Sequence, residues 1–112
     1  EKGEDPFLIL LDGITLTGGD PFVQPEACAD LARRAHNAGL NVWCYTGYVF
    51  EELLTGKQEW RALLENVDVL VDGPFLRAQK TLDKRFRGSA NQRIIDVPAS
   101  LKSGTTVLSE YN

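Results

Sequence analysis

Gly13-Ile14-Thr15-Leu16-Thr17-Gly18-Gly19 is the stretch whose reading decides the fold. β-Branched and aliphatic residues fill positions 14–17 and stop at two glycines, which marks a short buried strand running into a tight turn. Pro25 suits the first turn of a helix. Cys28, Leu31, Ala32, Ala35 and Ala38 then recur at helical spacing, while Arg33, Arg34 and Asn37 face outward. Gly39 is placed to end that helix in a left-handed cap. The unit then repeats. Residues 41–45 (NVWCY) read as a second strand closed by Gly47, residues 49–54 and 59–66 as helices, and residues 67–71 (VDVLV) as a third strand closed by Asp72-Gly73-Pro74. The strands begin at residues 13, 41 and 67, so they lie 28 and 26 residues apart. That is the length of one strand–helix repeat with a right-handed crossover, and it predicts a parallel sheet with helices packed on it.

Outside this repeat the pattern is looser. Residues 7–11 are apolar and compatible with either helix or strand. Asp12-Gly13 separates them from the firmer strand, so they are read as loop or helical turn. Beyond Pro74, residues 76–82 hold a helical turn and residues 84–92 (KRFRGSANQ) form a polar, basic loop. Residues 93–96 read as a short strand, 98–102 as one more helical turn, and 105–108 as a final strand. A closed eight-stranded α/β barrel takes about 250 residues. The 112 residues here therefore make a partial barrel or a small open sheet, as one domain over residues 1–112.

Bulk properties narrow the function. With 43% hydrophobic residues the chain can bury a core without disulfides or metal. A formal charge of −4 argues against nucleic-acid binding, which wants a basic surface. No run approaches the roughly 18 apolar residues of a membrane span, and Glu1, Glu4 and Asp5 stand where a signal peptide carries positive charge. The chain begins at Glu1 and contains no methionine, which reads as a piece of a longer protein. Cys28 and Cys44 have no metal-ligand spacing and fall on apolar stripes, so they are read as small buried hydrophobes. Reduced thiols fit the cytoplasm. His36, the single histidine, lies among charged neighbours and is read as a surface residue with no acid–base role.

Ligands of parallel α/β folds bind at the carboxyl ends of the strands. Those ends are marked here by Thr17-Gly18-Gly19-Asp20-Pro21, by Thr46-Gly47-Tyr48 and by Asp72-Gly73-Pro74-Phe75. Glycines admit a ligand close to the backbone. Carboxylates suit a cationic amino group or a ribose hydroxyl pair, so the pattern fits an amino acid joined to a nucleoside. Each turn taken alone is also an ordinary turn former. A further unusual passage spans Phe86 to Arg93. Its two guanidinium groups, Arg87 and Arg93, suit bidentate contact with carboxylate or phosphate.

Residues 13–22 (GITLTGGDPF) resemble the glycine-glycine-acid segment of the radical S-adenosylmethionine superfamily. Four passages in order resemble, within it, the activating proteins of anaerobic ribonucleoside-triphosphate reductase: residues 13–26, 41–54, 67–75 and 86–96. The resemblance implies an α/β partial (open) barrel with a mainly parallel sheet, truncated at its N-terminal strand. It also implies an oxidoreductase. In that family a 4Fe-4S cluster holds S-adenosylmethionine through its amino and carboxylate groups and cleaves it reductively to a 5′-deoxyadenosyl radical. That radical takes a hydrogen from a glycine of the partner reductase. Carried over by position, Gly18, Gly19 and Asp20 hold the methionyl amino group, with Thr17 supporting the turn. Thr46 and Gly47 lie beside the ribose or methionine portion, and Asp72 and Gly73 line the same cavity. Arg87, Gly88, Ser89, Asn91 and Gln92 close the pocket or meet the partner. Implied partners are the glycyl-radical subunit of the reductase and an electron donor such as flavodoxin.

One departure from the family is plain. Its cluster is held by C-x-x-x-C-x-x-C upstream of the glycine-glycine-acid turn, and no such motif occurs in this sequence. The 112 residues are therefore expected to be inactive by themselves. Loss of the first strand is further expected to leave a sheet edge open for self-association. Rival expectations are a non-enzymatic α/β nucleotide- or phosphate-binding domain of the flavodoxin or response-regulator type, and a ligand-free scaffold domain.

Overall fold

The computed structural model describes residues 7–9, 13–16, 20–74, 76, 89 and 91–111. Within them lie five strands: β1 (Phe7–Ile9), β2 (Gly13–Leu16), β3 (Asn41–Tyr45), β4 (Val69–Asp72) and β5 (Arg93–Asp96). The helices are α1 (Pro25–Asn37), α2 (Phe50–Thr55), α3 (Gln58–Leu64) and α4 (Val97–Ser103), with a 3-10 turn at Pro21–Val23.

All five strands form one open sheet in the order β1-β2-β3-β4-β5. β2, β3 and β4 are parallel neighbours, with Leu16 opposite Cys44 and Tyr45 opposite Val71. The outer strands β1 and β5 run antiparallel to them. The mainly parallel sheet of the sequence reading is thus parallel only at its centre.

Local chemistry explains the α1 boundaries. Pro25 lies at its start, where a missing N–H costs nothing, and Gly39 past its end takes φ of 81°. α4 is started by Asp96, whose side chain accepts the Ala99 N–H at 3.0 Å, and stopped by Gly104 at φ of 78°. The main core cluster lies on one face of the sheet, while Val71 and Ile94, also buried, alternate with Leu70 and Ile95 on the other. In that cluster Ile14, Leu16, Val42, Cys44, Leu70 and Ile95 pack against Cys28, Ala29, Ala32 and Ala35 of α1, Phe50 and Leu53 of α2, and Leu63 and Leu64 of α3. The small side chains of α1 let it lie close to both the sheet and α3. Both cysteines are buried and unpaired with each other, as expected.

Three expectations are corrected. Residues 7–9, expected as loop or helical turn, form β1 against β2, with Phe7 opposite Leu16 and Ile9 opposite Ile14. The β2 edge expected to be open is therefore occupied. A three-residue strand has too little period of its own to declare itself without its partner. Residues 105–108, expected as a strand, supply a single antiparallel bridge, Ile95 to Leu108. The third parallel strand starts at Val69 rather than Val67, because Val67 is drawn into the core behind α3. The helical turn expected at 76–82 and most of the 84–92 loop lie outside the described residues.

Candidate functional site

β2, β3 and β4 are parallel, so their carboxyl ends share one rim, and antiparallel β5 enters the sheet there with Arg93 opposite Asp72. The turns of interest are joined by hydrogen bonds. Asp20, half-buried, accepts the Phe22 N–H at 3.0 Å, the Thr46 hydroxyl at 2.9 and 3.1 Å, and the Gly47 N–H at 2.9 Å. Thr46 Oγ1 in turn accepts the Tyr48 N–H at 3.1 Å, and the Gly73 N–H donates to the Tyr48 carbonyl at 2.8 Å. The first turn is thus tied to the second, and the second to the third.

The last passage closes on the third turn. Gln92 Nε2 donates to the Gly73 carbonyl at 3.0 Å, and Asn91 Nδ2 donates to the Pro74 carbonyl at 2.9 Å. Ser89 Oγ accepts the Leu76 N–H at 3.1 Å and donates to Asn91 Oδ1 at 2.6 Å. Gly73 takes φ of 94°, a conformation that favours glycine, and its Cα faces Asn91 and Gln92. Asp20, Thr46, Gly47, Asp72, Gly73, Ser89, Asn91 and Gln92 therefore come together along one rim. Thr17, Gly18, Gly19, Arg87 and Gly88 lie outside the described residues.

The two rim carboxylates differ in what meets their charge. Asp72 is only 1% exposed, and both its oxygens are occupied. Oδ1 accepts from Arg93 Nε at 3.1 Å, while Oδ2 accepts from Arg93 Nη2 at 2.6 Å and from the Phe50 N–H that opens α2 at 2.8 Å. Arg93 also reaches half-exposed Glu51 at 2.7 and 3.2 Å, and the Thr106 hydroxyl donates to that carboxylate at 2.6 Å. Hydrogen bonding to Arg93 holds Glu51 at about 2, below its usual 4.5, and the two carboxylates push the Arg93 guanidinium up. Asp20, by contrast, is met by neutral donors; among the described residues no lysine or arginine forms an ion pair with it. A carboxylate fixed by N–H and O–H dipoles suits a cation.

The partners of three side chains were not legible in the sequence, two at the rim and one away from it. Arg93 was legible as a bidentate group, but its carboxylate partners are 21 and 42 positions away in the chain. Trp60 falls in the helix read over residues 59–66 and drew no site role, yet its indole reaches the rim and donates to the Phe22 carbonyl at 2.8 Å. His36, expected at the surface, is half-buried at the other end of the sheet. Its Nε2 lies 2.7 Å from Asp68 Oδ2, which also accepts the Val42 N–H, so the pair ties α1 to the sheet. A cleft of about 510 Å³ also opens at that end, lined by Asp68, Val69, Asp96, Pro98, Ser109, Glu110 and Tyr111, far from the glycine-bearing turns.

Residues 6–95 match the family described as 4Fe-4S single cluster domain, and the chain belongs to that family. It is similar to the anaerobic ribonucleoside-triphosphate reductase-activating protein of Haemophilus influenzae, with 40% identity over 86 residues, 73% of this chain and 54% of that one. It is similar also to the proteins of the same name from Escherichia coli K12 (35% over 85 residues, 71% and 53%) and from Enterobacteria phage T4 (38% over 88 residues, 75% and 53%). The chain spans about half the length of the curated relatives it matches. No solved structure matches it.

The residues present do not fit an iron–sulfur cluster. Such clusters need several thiolates, and the sequence has two cysteines, both buried in the core. Burial first, and the nearby Asp20 charge second, push both thiols up, so they stay protonated. Among the described residues no group of three His, Cys, Asp or Glu side chains stands together as a metal site. None of the described helices is long and apolar enough to cross a membrane.

Proposed function

We propose that this chain is the S-adenosylmethionine-holding part of a radical-type activating enzyme for anaerobic ribonucleotide reductase, acting in the cytoplasm on the reductase's glycyl-radical subunit. In this reading the sheet is one portion of an open β/α barrel. The cluster is held by thiolates outside these 112 residues and reduced by a donor such as flavodoxin, and the 112 residues alone are inactive. The names of the curated relatives support the partner.

The observation that carries the ligand is Asp20, a rim carboxylate held by neutral donors and without a Lys or Arg partner among the described residues. S-adenosylmethionine bears an ammonium group, and Asp20 offers the carboxylate for it, with Thr46 and Gly47 holding that carboxylate in place. Thr17, Gly18 and Gly19 complete the turn, and Gly73 brings backbone to the same rim. Asp72 acts through Arg93, fixing the third turn rather than touching the ligand. Ser89, Asn91 and Gln92 are fastened to the third turn, and with Arg87 and Gly88 they close the pocket or meet the partner in this reading. A phosphate ligand, the rival expectation, would meet a carboxylate at this rim and be repelled.

Calorimetric titration of S-adenosylmethionine into the full-length protein tests the reading. Asp20→Asn, which keeps the shape and removes the charge, should weaken binding about 10- to 100-fold. Equal affinity in the variant and the parent would sink it.

A further inference from the structure

The rim is clamped from outside by one side chain, Trp60 of α3. Phe22 is held on both sides of its own residue. Its N–H donates to Asp20 Oδ1 at 3.0 Å, and its carbonyl accepts the Trp60 indole N–H at 2.8 Å. The Phe22 ring, only 2% exposed, meets the indole edge-on with centroids 6.5 Å apart. The same indole lies 5.0 Å from the Tyr48 ring, and the Tyr48 carbonyl accepts the Gly73 N–H. Trp60 therefore touches the first turn through Phe22 and the second through Tyr48, while the Lys57 ammonium sits 5.6 Å over its ring. Gly56 makes room for this. A Cβ there would fall 2.5 Å from two indole carbons and 2.9 Å from the Glu52 carbonyl.

We infer that Trp60 is a positioning residue for the Asp20 carboxylate, which rests on the reading that Asp20 receives the ligand's amino group. Asp20 is oriented by two sets of contacts: Thr46 and Gly47 on one flank, and the Pro21–Val23 turn on the other. The indole N–H fixes the second flank to α3. Removing that N–H leaves the Phe22 carbonyl without its partner and lets the turn, with the carboxylate it carries, shift against Thr46. The aromatic contact to Tyr48 makes the same side chain set the spacing of the first two turns.

Three variants of the full-length protein separate this role from general stability. Trp60→Phe keeps a ring and removes the N–H. Gly56→Ala keeps Trp60 and pushes on its indole, so the test survives if one variant folds poorly. Ile95→Val trims the core on β5 at a small cost in stability. S-adenosylmethionine affinity should fall about 3- to 10-fold in Trp60→Phe and Gly56→Ala and stay at the parent value in Ile95→Val. The Phe22 and Val23 amides should exchange hydrogen faster in the first two only. Parent-like affinity in both rim variants, beside an Asp20→Asn protein that binds weakly, would overturn the role of Trp60 and leave that of Asp20 standing. If Asp20→Asn binds as well as the parent, the reading of Asp20 falls and the role of Trp60 falls with it.

Discussion

Asp20, beyond β2, and Asp72, at the end of β4, stand on one rim with β3 between them; among the described residues neutral dipoles meet the first and a guanidinium the second. The second arrangement has a consequence for acid stability. Glu51, the outer member of the Arg93 network, is held at about 2 against an ordinary 4.5, so folding favours its ionised form. A carboxylate lowered in this way contributes stability that is complete above about pH 4.5 and is lost as pH falls toward 2. Urea denaturation across that window should show the parent weakening more steeply than Glu51→Gln, which has no proton to gain at that position. Parallel pH dependence in the two proteins would remove Glu51 from the account. At this scale the sequence was only partly readable. Its glycines and acids named the rim, but the spacing that pairs Arg93 with Asp72 and Glu51, or Trp60 with Phe22, exists only after strands from distant parts of the chain are laid side by side.

Elements were more legible, because their signals are local. Pro25 and Gly39 bracket α1 within two residues of its ends, and residues 41–45 form β3 as read. The failures fall where an element depends on a neighbour. β1 is three residues long and exists through its pairing with β2, and residues 105–108 meet β5 at a single bridge. α4 stands between these cases: seven residues are too few to hold a helix by propensity, so its cap matters. Asp96→Ala removes the acceptor for the Ala99 N–H and should lower unfolding free energy by about 1 kcal/mol in chemical denaturation, an effect absent if the cap is idle.

Among the described residues α1, α2 and α3 pack with the sheet in one core cluster, and Leu70, fully buried in it on β4, is the test of how far stability depends on that cluster. Leu70→Ala should cost about 2 to 5 kcal/mol by thermal or chemical unfolding, and a cost under about 1 kcal/mol would mean that this cluster is not where stability is concentrated. The plan of parallel centre plus helical crossovers was visible in the 28- and 26-residue spacing of strand starts. The direction of the outer strands was not, because a chain may return to a sheet either way and only the partner's edge decides.

That direction matters most at β5. The chain leaves the sheet at Asp72 and comes back one strand over at Arg93, and the Leu76 N–H meets Ser89 Oγ between those points. Exit and re-entry are thus stitched together like the neck of a purse, and the register of β5 on β4 does not depend on how much chain is gathered beyond the stitch. Doubling that length costs only about 0.6 kcal/mol in closure entropy. A change of length between Leu76 and Ser89 is therefore expected to leave the alignment of β5 on β4 in place, because the contacts that set it lie on the sheet side of that stitch.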